Sequence, residues 1–306
     1  MSVPRPCEQS VESPPVDWLQ FRNWAHAEND YQKSIAGVHG QDHGNPDLRG
    51  RTYFEVNVYR YFHALQVCWP YLNRPNQKVM DVGSWPGAWM RVIANFCSRH
   101  QPRIWACGLI FPERFLEKMG GACQGMLHCE LDPQSPMRDK AAPTSLSEGG
   151  FTFVSAMEVV EHLYDPRGMF ELIGLAMEPG GVLFVTTNNI ARLSNLFTLA
   201  TGGGLAGNLD ELNPRDGGIL GNWRPHAREY AWQDLNQFAS AAGFHHLTHG
   251  FYQENYARRL VEGAELPREA LTIANPRERR FAEAIRPLLA EPEQLKSGMY
   301  VLFERL

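Results

Sequence analysis

From Lys78 onward the chain alternates short apolar runs with stretches whose apolar residues recur at helical spacing. The runs are KVMDVG, RIWACGLI, MLHCELD, FTFVSAM and GGVLFVTTN; between them lie AWMRVIANFCSRH, PERFLEKMGG and PRGMFELIGLAMEPGG. Strands alternating with helices predict an α/β chain with a parallel sheet and helices on both its faces. Ahead of this region, residues 17 to 36 place Trp18, Phe21, Trp24 and Tyr31 among charged residues at helix-like spacing. GVHGQDHGNPDLRGR reads as loop, and TYFEVNVYRYFHALQVCWPYL predicts an amphipathic helix that stops at Pro70. Further on, AWQDLNQFASAAGF predicts a helix ending at Gly243, and HHLTHGFYQ and SGMYVLFERL predict two more strands. Between those two runs, residues 254–295 are charged and helical in character, which predicts a surface hairpin of helices. Residues 191–225 break the alternation: they are glycine-rich and carry little pattern beyond a first helical turn or two. A connection of that length inside a compact domain is usually functional. The pattern therefore divides the chain into a leader and helix (1–45) and one α/β domain (46–306), the latter carrying insertions at 191–225 and 254–295.

With 306 residues, 43% of them hydrophobic, the chain can bury a full core. Mean hydropathy is −0.36, and no apolar run approaches a membrane span. The stretch MSVPRPCEQSVESPPVDW has neither a basic start nor an apolar core, so it predicts no signal peptide or anchor, and a cytoplasmic location follows by default. A net charge of −5 and a pI near 6.1 give no global basic field for nucleic acid. Six cysteines (Cys7, Cys68, Cys97, Cys107, Cys123, Cys129) form no CxxC pair and read as reduced thiols. The Cys123–His128–Cys129 run has the wrong spacing for a zinc knuckle.

Candidate chemistry begins at KVMDVGSWPGAWMRVIANF, a strand, a turn and a helix. An open parallel sheet binds its ligand beyond the carboxyl ends of its strands. Gly83 lets the backbone turn without a Cβ, and Gly87 permits a close approach. A dinucleotide turn wants glycine at its centre so that pyrophosphate reaches the helix N-terminus. Here Trp85-Pro86 stands in that place. A ligand without phosphates asks less of such a turn.

Downstream, FTFVSAMEVVEHLYDP releases Glu158, Glu161 and His162 at the end of a buried strand, and MEPGGVLFVTTNN supplies a turn and a strand. This order closely resembles class I S-adenosylmethionine-dependent methyltransferases. Asp81-Val82-Gly83, Glu158 to Pro166 and Pro179 to Asn188 stand at the places of that family's Asp/Glu-x-Gly, EVxEHxxDP and PGGxLxxxTPN segments. The resemblance implies a Rossmann-like fold: a mostly parallel seven-stranded sheet with helices on both faces and the last strand antiparallel. It also implies S-adenosylmethionine as cofactor, held by Asp81, Gly83, Ser84, Trp85, Gly87, Asp132 and Met157, with Asp132 at the place that bonds the adenine amine. The Gly-Ser-x-Pro-Gly turn is similar to methyltransferases of surface-polysaccharide clusters. One departure is plain: the acid that bonds the ribose hydroxyls is replaced by Leu109-Ile110-Phe111, with Glu113 the nearest carboxylate.

The Glu158-x-x-Glu161-His162 segment has two readings. One is an acid-rich helix start favoured by the macrodipole. The other is a divalent metal site for Mg²⁺ or Mn²⁺, whose further ligand is His226 in HAREY. That pattern resembles small-RNA 2′-O-methyltransferases, and glycan methyltransferases show HxREY as well. Arg228 could instead close a salt bridge, while His245, His246 and His249 read as structural or surface residues. The function implied is O-methylation of a sugar hydroxyl, on a glycan, polysaccharide or nucleotide-sugar acceptor, with residues 191–225 as a lid. Either the metal lowers the hydroxyl's pKa or His162 or His226 serves as base, with Glu158 in the catalytic set. Small-molecule and RNA 2′-O-methyltransferases are the rival readings, and a S-adenosylmethionine-binding module without catalysis is the non-enzyme one.

Overall fold

The computed structural model describes residues 16–38, 49–109, 111, 113–119, 122–134, 140, 142–205, 226–253 and 273–306. Seven strands form one sheet: β1 Lys78–Val82, β2 Arg103–Gly108, β3 Gly125–His128, β4 Phe151–Met157, β5 Met177–Asn188, β6 Phe244–Tyr252 and β7 Gly298–Arg305. Their order is β3-β2-β1-β4-β5-β7-β6. Strands β1 to β5 pair in parallel, and β7 lies antiparallel between β5 and β6. The expected class I methyltransferase fold is the one observed. From β1 the chain moves outward to β3 and then returns to the opposite side as β4. The switch point of the sheet therefore lies beyond the carboxyl ends of β1 and β4.

The helices follow from the two faces of that sheet. Successive strand residues point to opposite faces. Val79, Val182 and Phe184 feed one core, and Met80, Leu183 and Val185 the other. The first core is covered by α1 Trp18–Ala36, α2 Tyr53–Val56, α3 Val58–Leu72, α4 Ala88–Phe96 and α5 Glu113–Met119; the second by α6 Pro166–Ala176 and, after α7 Leu193–Ala200, by α8 Trp232–Ala241. Asp17 starts α1 with a reciprocal capping box to Gln20, and Thr52 caps α2 through the Glu55 N–H.

Boundaries differ from the sequence reading in four places. The helix expected to stop at Pro70 runs on to Leu72, because a proline in a final turn forfeits one hydrogen bond and the apolar face stays buried. That helix is also broken at Asn57 into α2 and α3. β3 ends at His128, short of Asp132, and the Glu178–Gly181 turn is absorbed into β5 as a shift of register between Phe151 and Phe153. Of the expected helical hairpin, residues 254–272 lie outside the described residues; α9 Pro276–Ile285 and two short 3₁₀ turns make up the rest. Of the expected lid, residues 206–225 lie outside them too.

Candidate active site

The turn after β1 is bolted to β2 by its own serine. Ser84 Oγ donates to the Asp81 and Cys107 carbonyls (2.9 and 3.1 Å), accepts from the Cys107 N–H at 3.0 Å, and Gly83 N–H donates to the Cys107 carbonyl at 2.8 Å. Gly83 has φ +71, and a Cβ there would stand 2.5 Å from Val159 Cγ2. Gly87, at φ +88, starts α4; a Cβ there would meet Met119 Sδ at 2.9 Å and Phe115 Cε2 at 3.1 Å. Both glycines are therefore demanded by the protein's own packing. The Trp85-Pro86 bond is cis, and Trp85, 40% exposed, reaches outward with its ring 5.7 Å from Phe115.

Asp81 is buried on β1, and its Oδ1 accepts from Ser155 Oγ at 2.8 Å. Burial pushes its carboxyl up to about 7, an effect that the Ser155 bond only partly offsets. Met157 ends β4, half-buried, against the first core. Asp132 is fully buried: Oδ2 accepts from the Tyr164 N–H at 2.7 Å and Oδ1 from the Asp165 N–H at 3.3 Å, so it ties the exit of β3 to the start of α6. At the ribose position, Phe111 stacks on Phe115 (5.3 Å), and Glu113 is exposed in the first turn of α5.

Beyond β4 the structure sorts the four metal candidates into two groups. Among the described residues, Glu161, His162 and His226 form a cluster whose ligand atoms all lie within 4.8 Å of one another. The 3₁₀ turn Val160–His162 carries the first two. His226 is brought in from far along the chain because the Glu161 carbonyl accepts from the Ala227 and Arg228 N–H groups at 2.7 and 3.3 Å. The two imidazoles meet edge to face, 4.7 Å between centroids. Glu161 is fully buried: Oε2 accepts from Thr187 Oγ1 at 2.8 Å, while Oε1 receives no hydrogen bond from the described residues. Burial first, and the Glu158 charge second, raise its carboxyl well above the usual range. A buried carboxylate oxygen without a donor, beside two imidazoles, fits a divalent cation.

Glu158 stands apart from this cluster. Its φ is +56, a left-handed conformation rare for such a residue. Its N–H donates to the Thr186 carbonyl at 3.0 Å, and Oε1 accepts from Thr186 Oγ1 (2.9 Å) and Tyr252 Oη (3.2 Å). Oε2 pairs with Arg60 Nη2 at 3.2 Å. Arg60 is 7% exposed on α3, and Tyr53 hydrogen-bonds it. Sequence reasoning missed Arg60, Thr186, Thr187 and Tyr252. A lone arginine in the apolar helix VYRYFHALQVCW is the one local signal that could have flagged Arg60. Arg228 makes no such ion pair among the described residues; its guanidinium lies over the Tyr230 ring at 5.3 Å. Cys123, His128 and Cys129 form no metal-ligand group among the described residues. Trp232 stacks on His249 at 4.0 Å.

An open α/β sheet in 3-2-1-4-5-7-6 order, with a glycine turn after its first strand and titratable groups after its fourth, defines a ligand-binding protein of the Rossmann-like class. A family model described as "Methyltransferase domain" matches residues 53–263, more than half of the chain, and the chain belongs to that family. It is an S-adenosylmethionine-dependent methyltransferase. Similar solved structures include an S-adenosylmethionine-dependent methyltransferase from Mesorhizobium loti (14% identity, 78% of this chain and 97% of that one, TM-score 0.45). Another is an S-adenosylmethionine-dependent methyltransferase from Archaeoglobus fulgidus (14%, 79% and 92%, 0.45). A third is a Haemonchus contortus phosphoethanolamine N-methyltransferase 2 in complex with phosphomonomethylethanolamine and S-adenosylhomocysteine (13%, 81% and 52%, 0.48). No curated protein matches. The family match, not these distant likenesses, carries the assignment. No helix among the described residues is long and apolar enough to cross a membrane.

Proposed function

We propose that the enzyme transfers the methyl group of S-adenosylmethionine to a hydroxyl of a sugar-containing acceptor: a glycan, a polysaccharide or a nucleotide sugar. The observation that carries this reading is the Glu161–His162–His226 cluster at the carboxyl edge of the sheet, next to the turn that follows β1. In the transfer the S–CH₃ bond breaks as the O–CH₃ bond forms, and the hydroxyl proton must leave. Without a metal, His162 or His226 would take that proton. A divalent cation held by Glu161, His162 and His226 would supply Lewis acidity to the same hydroxyl. Asp81 and the Gly83–Gly87 turn would hold the cofactor's amino-acid end, with Ser84 fixing the turn and Trp85 at its rim. The sugar acceptor is supported by the resemblance of the turn and of HAREY to glycan methyltransferases. Exposed Trp85 and Tyr164 also offer flat apolar faces of the kind that sugar rings stack on.

The test is label transfer from methyl-labelled S-adenosylmethionine into three parallel pools: nucleotide sugars with polysaccharide, phenolic small molecules, and RNA. Label entering the sugar pool as an alkali-stable ether supports the proposal. Label entering only the phenols or only the RNA overturns it.

A further inference from the structure

We infer that the Glu161–His162–His226 cluster selects a cation that accepts imidazole, of the Mn²⁺ or Zn²⁺ class, over Mg²⁺, and that Arg60 enforces this by holding Glu158 out of the cluster. The inference rests on the metal-assisted reading above and names what that site takes.

The donor set decides the class of cation. With Glu158 included, two carboxylates would offer hard oxygens suited to Mg²⁺. The structure gives Glu158 other work. Both of its oxygens are occupied: Oε1 by Thr186 and Tyr252 from β5 and β6, Oε2 by the Arg60 guanidinium from α3. The pair is buried, with side-chain exposures of 6% for Arg60 and 10% for Glu158, so pulling Glu158 away would break a buried ion pair. One carboxylate and two imidazoles then remain. Mg²⁺ keeps to oxygen and sheds water reluctantly, whereas imidazole suits Mn²⁺ and, more strongly, Zn²⁺. Glu161 is already prepared as a one-oxygen ligand: Thr187 holds Oε2, and Oε1 is the buried oxygen that lacks a donor among the described residues. Such a supporting hydrogen bond orients a ligand much as second partners do in known metal sites. Three protein ligands leave coordination positions open for an acceptor hydroxyl.

Binding of the metal alone to the full chain tests this, by calorimetry with Zn²⁺ and by electron paramagnetic resonance with Mn²⁺, with Mg²⁺ as competitor. The wild type is expected to bind Mn²⁺ at least roughly ten-fold more tightly than Mg²⁺. Glu161→Gln should lose roughly a hundred-fold or more in Mn²⁺ affinity. The double variant Arg60→Met with Glu158→Gln, which removes both buried charges together and so spares the fold, should stay within about three-fold of wild type. Arg60→Met alone should gain Mg²⁺ affinity by roughly ten-fold, since it frees the Glu158 oxygen. If the wild type binds no divalent cation, the metal-assisted reading falls and takes this inference with it. If it binds Mg²⁺ as tightly as Mn²⁺, or if the double variant loses Mn²⁺ as Glu161→Gln does, that reading stands and this inference is overturned.

Discussion

Asp81 shows how much a single buried group can shape the enzyme's response to pH. Its carboxyl is 4% exposed and raised from 3.8 to about 7, so the folded state keeps a proton that the unfolded chain gives up. A raised folded pKa contributes stability that is complete below the ordinary value near 4 and is lost as pH rises through about 7. At about 1.4 kcal/mol per unit the swing is on the order of 4 kcal/mol. Denaturant titrations should therefore show stability falling between pH 4 and 7. Buried Glu161 shifts in the same direction, so the diagnostic quantity is the difference between wild type and Asp81→Asn. An equal slope in both proteins would refute the assignment. Gly83 makes a second residue-scale case. Gly83→Ala must bear a positive φ and also displace Val159, whereas Gly202 has a similar φ (+86) with nothing within 4 Å. Melts should show Gly83→Ala costing roughly 2–4 kcal/mol and Gly202→Ala about 1. The spacing of Gly83 and Gly87 was legible in the sequence. What approaches Gly87 was not, because its neighbours Phe115 and Met119 come from α5, beyond the next strand.

Elements were legible where burial is symmetric. Runs such as FTFVSAM and GGVLFVTTN are buried on both faces, so composition alone marks them as strands, whereas the ends of β3 and β5 depend on partners in β2 and β4. The site was half legible for the same reason. Glu161 and His162 are local to one turn, but the destination of Glu158 is set by Arg60 on α3 and Tyr252 on β6. His226 is likewise positioned by its segment, besides a contact of its Nδ1 with Asn188 Nδ2 at 3.5 Å. The Tyr230 carbonyl accepts from the Ile190 N–H at 3.1 Å, and Glu229 binds Arg192 Nη2 at 2.7 Å and accepts from Asn195 Nδ2 at 2.6 Å, which laces residues 226–230 to the start of α7. Glu229→Ala cuts two of these ties and leaves the turn after β1 untouched. It should lower kcat roughly ten-fold while the cofactor Kd moves less than about two-fold, with Glu229→Gln between the two proteins. Single-turnover kinetics with calorimetry would check this, and an unchanged kcat would release HAREY from any role in placing His226.

At the scale of the whole molecule, the sequence pattern set residues 1–45 apart as a leader and helix, and the structure shows how much of that helix lies in the core. Trp18, Phe21, Ala25 and Ile35 of α1 belong to the same buried cluster as Leu65 of α3, Ile93 of α4 and Val79 of β1. A polar staple reinforces the seam. Glu28, 2% exposed, receives Arg91 Nε at 2.7 Å and Gln32 Nε2 at 2.7 Å; Arg91 covers the Tyr31 ring at 3.8 Å, and Tyr31 Oη donates to the Lys118 carbonyl at 2.6 Å. The aromatic spacing announced a helix, but only its partners, on elements far along the chain, make it core. Glu28→Gln should cost roughly 1–3 kcal/mol, because a partly exposed guanidinium is left short of its partner. A chain lacking residues 1–45 should fare much worse. It would expose the apolar face that α1 covers, and it would unseat α3, which carries Arg60 to Glu158. The expected result is a truncated protein that binds a hydrophobic dye, shows no cooperative thermal transition and has no measurable affinity for S-adenosylmethionine. A truncated protein that melts cooperatively and binds the cofactor as the full chain does would show α1 to be an appendage, and the active site to be complete without it.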